Sequence, residues 1–381
     1  MKTFDAAVVG AGSFGAWTAW RLRRAGLSVA LVDAYGPGNS RASSGGESRV
    51  IRMGYGADEI YTRWSLRSLA DWKELSARAD PPIFRATGVL WMGRQDDAYM
   101  EASREGLSRA GVPHETLSRA ELEKRFPQIA PGPIEWALIE LESGALQARR
   151  GVQIVAAEAE RAGAVRIDAS VAAPDGRRRV ETLRLSTGER LAAGRFVFAC
   201  GAWLGKLFPE ILGDRIFPTR QEIFYLGAAP GDARFRPPAM PVWLDLTEEI
   251  YGIPDIESRG FKLASDRHGP RFDPDTGERQ PSPEGLARAR EYAARRFPGL
   301  ANAPILAAEV CPYENTSNGD FLIDRHPEFE NVWLAGGGSG HGFKHGPAVG
   351  EYVAGLLTGS SEIEPRFRIE AKATVQRRTV H

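Results

Sequence analysis

The sequence predicts an α/β fold in which a parallel-sheet domain is interleaved with a second, strand-rich α+β domain. Three observations predict it: a strand-loop-helix-strand unit at the start of the chain, a strand-loop-helix unit near its end, and strand-rich segments between them. Both units carry glycines in the loop, where a chain leaving a core strand must turn sharply at the sheet edge that binds ligands.

The first unit is "FDAAVVGAGSFGAWTAWRLRRAGLSVALVDAYGPG", residues 4–38. Its apolar run through Val8 and Val9 suits a buried parallel strand. Gly10, Gly12 and Gly15 follow as G-x-G-x-x-G, "FGAWTAWRLRRAGL" reads as a helix ended by Gly26, and "SVALVD" reads as a second strand ending in Asp33. Glycine serves the first position for a tight turn, the second for close approach of backbone to a pyrophosphate, and the third for helix-strand packing. The helix N-terminus adds N–H groups and partial positive charge for the phosphates. Asp33 is placed to accept from both hydroxyls of an adenosine ribose and would repel a phosphate there, which favours FAD or NAD over NADP.

From Asp58, "DEIYTRWSLRSLADWKELSARA" sets Leu66, Leu69, Trp72 and Leu75 along one helical stripe, and "DPP" stops it. A strand-rich piece begins near "FRATGVLWMG", and a helix is predicted around "GALQARRGVQIVAAEAERAG". Short strands with turns at "PDG" and "STG" lead to the apolar strand "RFVFA" before Cys200. "QEIFYLG", "PVWLDL", "EIYGIP" and "GFKLAS" read as strands, and Ser282 caps a helix that Pro283 opens. The stretch "EVCPYENTSNGDFLIDRHP", residues 309–327, is rich in turn formers and charges. No fixed-period repeat or low-complexity linker separates the pieces, so each domain is discontinuous.

The second unit, "NVWLAGGGSGHGFKHGPAVGEYVAGLLTG", runs from a strand through Gly336, Gly337, Gly338, Gly340 and Gly342 into a helix near Pro347. So much glycine points to backbone pressed against a flat or charged ligand. His341, Lys344 and His345 stand just before the helix's positive end and together suit an anion, such as a reduced flavin or a carboxylate.

Composition removes several classes of function. Lys plus Arg and Asp plus Glu both number 49, so no overall field draws the protein to nucleic acid or an anionic membrane. The two cysteines, 111 positions apart (311 minus 200), offer neither a disulfide framework nor paired metal ligands. The chain begins at a core strand without leader features, has no bilayer-length apolar segment, and ends in "RTVH", which is not a peroxisomal signal. A cytoplasmic protein with a small-molecule partner is expected.

These motifs carry a resemblance. "VVGAGSFGAW", "GESRVIRMGYG", "ACGAWLGKL", "GFKL" before "FDPD", "CPYENTSNGDFLIDRHP" and "GGGSGHGFKHGPAVGE" stand in the order and approximate spacing of one family. The chain resembles the glycine and D-amino-acid oxidase superfamily of FAD enzymes, most of all its monomeric sarcosine oxidase and N-methyltryptophan oxidase branch. The resemblance implies a Rossmann-type FAD-binding domain, a parallel sheet with a three-stranded meander, in the pieces 1–80, 145–215 and 305–370. A substrate-binding domain of residues 81–144 and 216–304 would lay a large mixed sheet over the flavin.

By the same resemblance Ser43, Ser44, Arg49, Gly338, Gly340, Gly342 and Lys344 contact FAD, and Cys311, in C-x-Y with Tyr313, bonds covalently to the flavin's C8 methyl group. Read alone, a lone cysteine is a buried structural thiol, and Cys200 keeps that reading. Arg52 and Lys344 are implied to clamp a substrate carboxylate, a fork and a point charge, with His341 beside them. Tyr251 matches a pocket tyrosine. Lys262 matches the lysine near flavin N5, where a cation stabilises reduced oxygen and favours an oxidase.

Two positions depart from the branch: Asp266 replaces its histidine four residues beyond that lysine, and Ser44 and Gly45 replace its paired histidines. A carboxylate is no substitute for imidazole, which points away from sarcosine itself. Asp266 and Trp243 are expected to reshape the pocket for a larger substrate bearing a second amine or hydroxyls. The expected reaction is oxidation of a carboxylate-bearing secondary amine with molecular oxygen, by a monomer. A FAD dehydrogenase, an oxidase of primary D-amino acids or sugar-modified amines, and a non-catalytic flavin-binding module are the alternatives.

Overall fold

A computed structural model of the chain describes residues 3–176 and 178–376; the carboxyl-terminal "RTVH" lies outside them. Strand Thr3–Val9 is central to the first sheet because its residues are apolar on both faces and helices cover both. The sheet order is Leu322–Arg325, Val332–Gly336, Arg190–Phe198, Thr3–Val9, Val29–Asp33 and Val165–Asp168. Its four central pairings are parallel, and Leu322–Arg325 closes one edge antiparallel. Thr182–Arg184 pairs antiparallel with Arg190–Phe198, and a bridge from Val171 to Leu185 adds the third member of the expected meander. Helix Ser13–Arg24 crosses from Thr3–Val9 to Val29–Asp33 and packs on helices Ala148–Arg161 and Gly346–Thr358.

A second sheet of eight strands is mixed, as expected. Its order is Ile305–Asn315, Phe217–Leu226, Phe261–Ser265, Ile250–Ile253, Val242–Asp245, Val89–Gly93, Trp136–Glu140 and His114–Ser118, antiparallel except where Val242–Asp245 meets Val89–Gly93. The turn-rich stretch around Cys311 thus belongs to a strand, which pairs with Phe217–Leu226 at the edge of this sheet rather than within the parallel one. Gly144–Gln147, read as the start of a helix, instead forms a small sheet with Ser48–Ile51 and Phe84–Arg85. Gly144 lies so close to Arg85 that a Cβ would fall 2.0 Å from its carbonyl oxygen, and the helix begins only at Ala148.

Strand alternation gives the eight-stranded sheet two different faces. Trp243, Phe261, Leu263 and Phe224 pack under helix Pro283–Arg296 with Tyr292 and Phe297. Tyr225, Ile223, Ala264 and Cys311 cluster on the other face. Asp245 anchors that helix to the sheet: its Oδ2 lies 2.8 Å from Arg296 Nη2 and accepts the Tyr292 hydroxyl at 2.8 Å, with Asp245 and Arg296 both buried. Asp245→Ala would leave the buried guanidinium only the more distant Glu248, at 3.9 Å, and should cost about 3–5 kcal/mol of stability, read from denaturant midpoints. The exposed Arg119–Glu123 pair should contribute less than about 1 kcal/mol.

Candidate active site

The glycine loop sits at the carboxyl end of Thr3–Val9, beside a cavity of ≈ 390 Å³ lined by Gly10, Gly12, Asp33, Ser44, Arg49 and Cys311 among others. Gly10 has φ +101°, and a Cβ there would fall 2.3 Å from the Ala199 carbonyl oxygen. A Cβ on Gly15 would fall 1.7 Å from Gly10 O, so helix and strand meet only through glycine. Gly12 caps helix Ser13–Arg24 without a side chain, leaving backbone at the cavity wall. Asp33 accepts from Ala11 N–H at 2.7 Å through one oxygen and from Tyr35 N–H at 2.8 Å through the other, with Gly36 N–H also turned toward it. The carboxylate keeps acceptor capacity for a hydroxyl. Ser44 Oγ accepts from Ser13 N–H at 3.1 Å, and Ser43 Oγ donates to Pro312 O at 2.6 Å. A helix N-terminus, glycine backbone and a strand-end acid around one cavity are the donor and acceptor set that FAD requires.

Further along that cavity stands Cys311. Its Sγ lies 3.3 Å from Arg49 Nη2, and Arg49 also donates to the Ser43 and Ser48 carbonyls. On the same sheet face Tyr225 is directly opposite Lys262, and Ile253 flanks Lys262 on its other side. Lys262 is 1% exposed and donates to Ser48 O at 2.8 Å. Burial, and then the Arg49 charge, pulls its ammonium down to about 7. The Tyr251 ring lies 5.6 Å from that ammonium, and its hydroxyl is 3.4 Å from the Tyr313 hydroxyl. Tyr313 reaches Asp266 Oδ1, also at 3.4 Å. Burial pushes Tyr251 up to about 12 and Tyr313 well above the usual phenol range, so both remain neutral donors.

Arg52 is held between two rings, its Cζ 4.4 Å from the Tyr55 centroid and 4.7 Å from that of Trp91. Trp91 Nε1–H donates to Glu140 at 3.0 Å, and Glu140 also takes Met53 N–H at 2.7 Å. Lys344 Nζ lies 5.0 Å from the Tyr55 centroid and donates to His341 O at 3.0 Å. Burial drives Lys344 well below the usual lysine range, with Arg52 adding to the shift and Asp266 and Glu140 opposing it. A bound carboxylate would add a counter-charge beside Lys344.

Loop and sheet thus bring together Arg49, Arg52, Tyr251, Lys262, Asp266, Cys311 and Lys344. Of two further expected pocket residues, Trp243 stands elsewhere and His341 lies beside Tyr55 and Lys344. Trp243 faces away from Lys262, stacked between Phe261 and Tyr292 at centroid distances of 5.7 and 5.9 Å, because its strand position has the opposite parity. His341 spends its ring nitrogens on structure: Nε2 is 2.9 Å from Gly319 O and Nδ1 3.2 Å from Tyr55 OH. Gly338, Gly340 and Gly342 line the cavity, though the tightest approach is internal, Gly340 lying flat against the Tyr313 ring. Tyr55 and Trp91, the ring pair around Arg52, went unread, since aromatic residues signal only a core. Glu314 was also unread: it lines the cavity, accepts from Gly338 N–H at 3.3 Å, and burial pushes its carboxyl up to about 7. No group of three or more His, Cys, Asp or Glu among the described residues is placed to hold a metal ion, and none of their helices is long and apolar enough to cross a membrane.

The profile of the family described as FAD dependent oxidoreductase matches residues 5–356. The chain is 32% identical over 370 residues to a monomeric sarcosine oxidase of Bacillus sp. (strain B-0618), covering 94% of this chain and 93% of that protein. It is 31% identical to an N-methyl-L-tryptophan oxidase of Salmonella arizonae, covering 96% and 98% respectively. Among solved structures, L-proline dehydrogenase from P. horikoshii superposes with a TM-score of 0.83 at 22% identity, covering 97% of each chain. A fructosyl peptide oxidase superposes with a TM-score of 0.82 at 21% identity, covering 96% of this chain and 93% of that one.

Proposed function

The chain belongs to the FAD-dependent oxidoreductase family, and from that premise we propose that it oxidises a secondary, N-alkyl amine carrying a carboxylate. The products are an imine, which water opens to an aldehyde and an amine, and hydrogen peroxide from oxygen. The observation that carries this reading is the pair of buried cations, Arg52 and Lys344, that share the Tyr55 ring. The names of the sarcosine and N-methyl-L-tryptophan oxidases, relatives over nearly the whole chain, support the substrate class.

Gly10, Gly12, Asp33, Ser43, Ser44 and Arg49 hold the cofactor, and bound FAD supplies the two-electron acceptor. Arg52 and Lys344 take the carboxylate and so fix which C–H bond is presented. Tyr251 and the surrounding sheet exclude water, and Lys262 provides positive charge where oxygen is reduced. We assign residues 1–80, 145–215 and 305–370 to the FAD-binding domain and 81–144 and 216–304 to the substrate domain, except that strand Ile305–Asn315 pairs within the substrate domain's sheet. The name of the monomeric sarcosine oxidase relative supports a monomer, and two cysteines that form no disulfide suit a reducing cytoplasm. Anaerobic flavin bleaching across secondary and primary amino acids tests the reading, which fails if only primary amines bleach. Peroxide formed in proportion to substrate separates an oxidase from a dehydrogenase.

Cys311 tethers the flavin in this reading, supported by its place at the cavity and by Arg49 at its sulfur. Acid precipitation of the wild-type holoprotein should leave the yellow colour in the pellet, and Cys311→Ala should release it to the supernatant. Colour released equally from both would remove the tether.

A further inference from the structure

Asp266 follows strand Phe261–Ser265, and its backbone N–H donates to Glu249 O at 2.8 Å, which fixes the residue at the strand end. Its carboxyl accepts from Tyr313 at 3.4 Å, and Tyr313 in turn meets Tyr251 at 3.4 Å. The charges that act on it come from three other elements: Arg52 and Lys344 favour its anion, and Glu249 disfavours it. The half-buried carboxylate continues the sheet face that carries Tyr251 and Lys262, is linked to Tyr251 through Tyr313, and lies within the field of the two cations.

That pattern matches the charge distribution of an α-amino acid. An N-alkyl amino acid at neutral pH is a zwitterion, its ammonium titrating at about 10 as for lysine. A site with cations alone would select the rare form whose amine is already neutral. We propose that Asp266 binds the ammonium end of a zwitterionic substrate and takes the proton the nitrogen must lose before oxidation. The inference rests on the amine-oxidase reading above. The transfer balances without a further reagent: one N–H bond breaks, one carboxyl O–H bond forms, R₂NH₂⁺ becomes R₂NH, and –COO⁻ becomes –COOH. Being half-buried, Asp266 then returns the proton to water. Burial holds its carboxyl at about 6, so it is ionised and ready to accept at neutral pH. Asparagine at this position would still accept from Tyr313 but could take no proton.

The test is the pH dependence of the dissociation constant for sarcosine and N-methyl-L-leucine, read by anaerobic flavin bleaching of the holoprotein from pH 7 to 9. Butyrate, a carboxylate with no nitrogen, is measured by its perturbation of the flavin spectrum. Dividing by the butyrate constant removes titration of Arg52, Lys344 and Lys262. Wild type is expected to show a ratio that changes less than about twofold, because the dominant zwitterion is what binds. Asp266→Asn should bind butyrate at least as tightly, while its ratio falls about tenfold per pH unit, following the scarce neutral amine. A tenfold fall per unit in the wild type overturns the proposal without any variant, as does an Asp266→Asn ratio as flat as the wild type's. Bleaching by neither amine at any pH would overturn the amine-oxidase reading and this inference with it.

Discussion

Lys262→Met is expected to slow reoxidation of the reduced holoprotein by oxygen about 10²–10³-fold, the usual cost of removing one preorganised charge-stabilising group. Anaerobic reduction by substrate should stay nearly unchanged. Oxygen arrives neutral and becomes an anion on taking its first electron, so it benefits from a cation only once electron transfer starts. The side chain is 1% exposed, so its field is poorly screened by water. Methionine fills a similar volume, and Ser48 O loses one donor. Rapid mixing of the reduced enzyme with oxygen measures the first effect and anaerobic mixing with substrate the second. Equal slowing in both would reduce Lys262 to a structural residue.

The same lysine predicts a pH profile. Burial and Arg49 hold its ammonium at about 7, below the usual lysine value. The charged form is lost as pH rises through that value, so reoxidation should slow toward alkaline pH. An anionic reduced ring nearby raises the midpoint. Stability runs the opposite way. Between about 7 and the ordinary value of 10.5 the unfolded chain holds this proton and the folded chain does not, so the lysine's contribution to stability rises with pH in that window.

The parts read from sequence are those in which local chemistry and fold agree. The stretch from Phe4 to Asp33 carries a strand period, a glycine turn, a helix and an acid in one register, and a single βαβ geometry satisfies all four. Trp243 was misplaced for a physical reason: both faces of its strand are apolar and covered, so alternation reveals two sides without saying which holds the ligand. Strand Ile305–Asn315 contains Pro312 and several polar residues, and its pairing with Phe217–Leu226, far away in sequence, holds it. An edge strand tolerates the proline. Helix Arg119–Arg125 went unread although its capping box was legible, Ser118 and Glu121 bonding reciprocally across S-x-x-E. Asp266 was visible only as a departure, because its relation to Arg52 and Lys344 is made by elements far apart in the chain.

Arg52→Met is expected to lower the second-order rate constant for flavin reduction by an N-methyl amino acid about 10²–10⁴-fold, the range for truncating one partner of a buried charge pair. The loss should appear mainly as weaker binding, because the clamp holds the carboxylate equally before and during oxidation. The protein should still fold. Methionine suits the slot between Tyr55 and Trp91, and Glu140 keeps the Met53, Gly54 and Trp91 donors that already satisfy it. Arg52→Lys should recover only part of the loss, because a planar guanidinium fills a gap between two rings that a tetrahedral ammonium does not. An N-methyl alkylamine without a carboxylate supplies the control. Wild type should oxidise it slowly and Arg52→Met no more slowly, since neither offers it a clamp. If the variant were equally impaired on both compounds, Arg52 would be supporting the fold of the pocket, and the carboxylate would have to be held elsewhere.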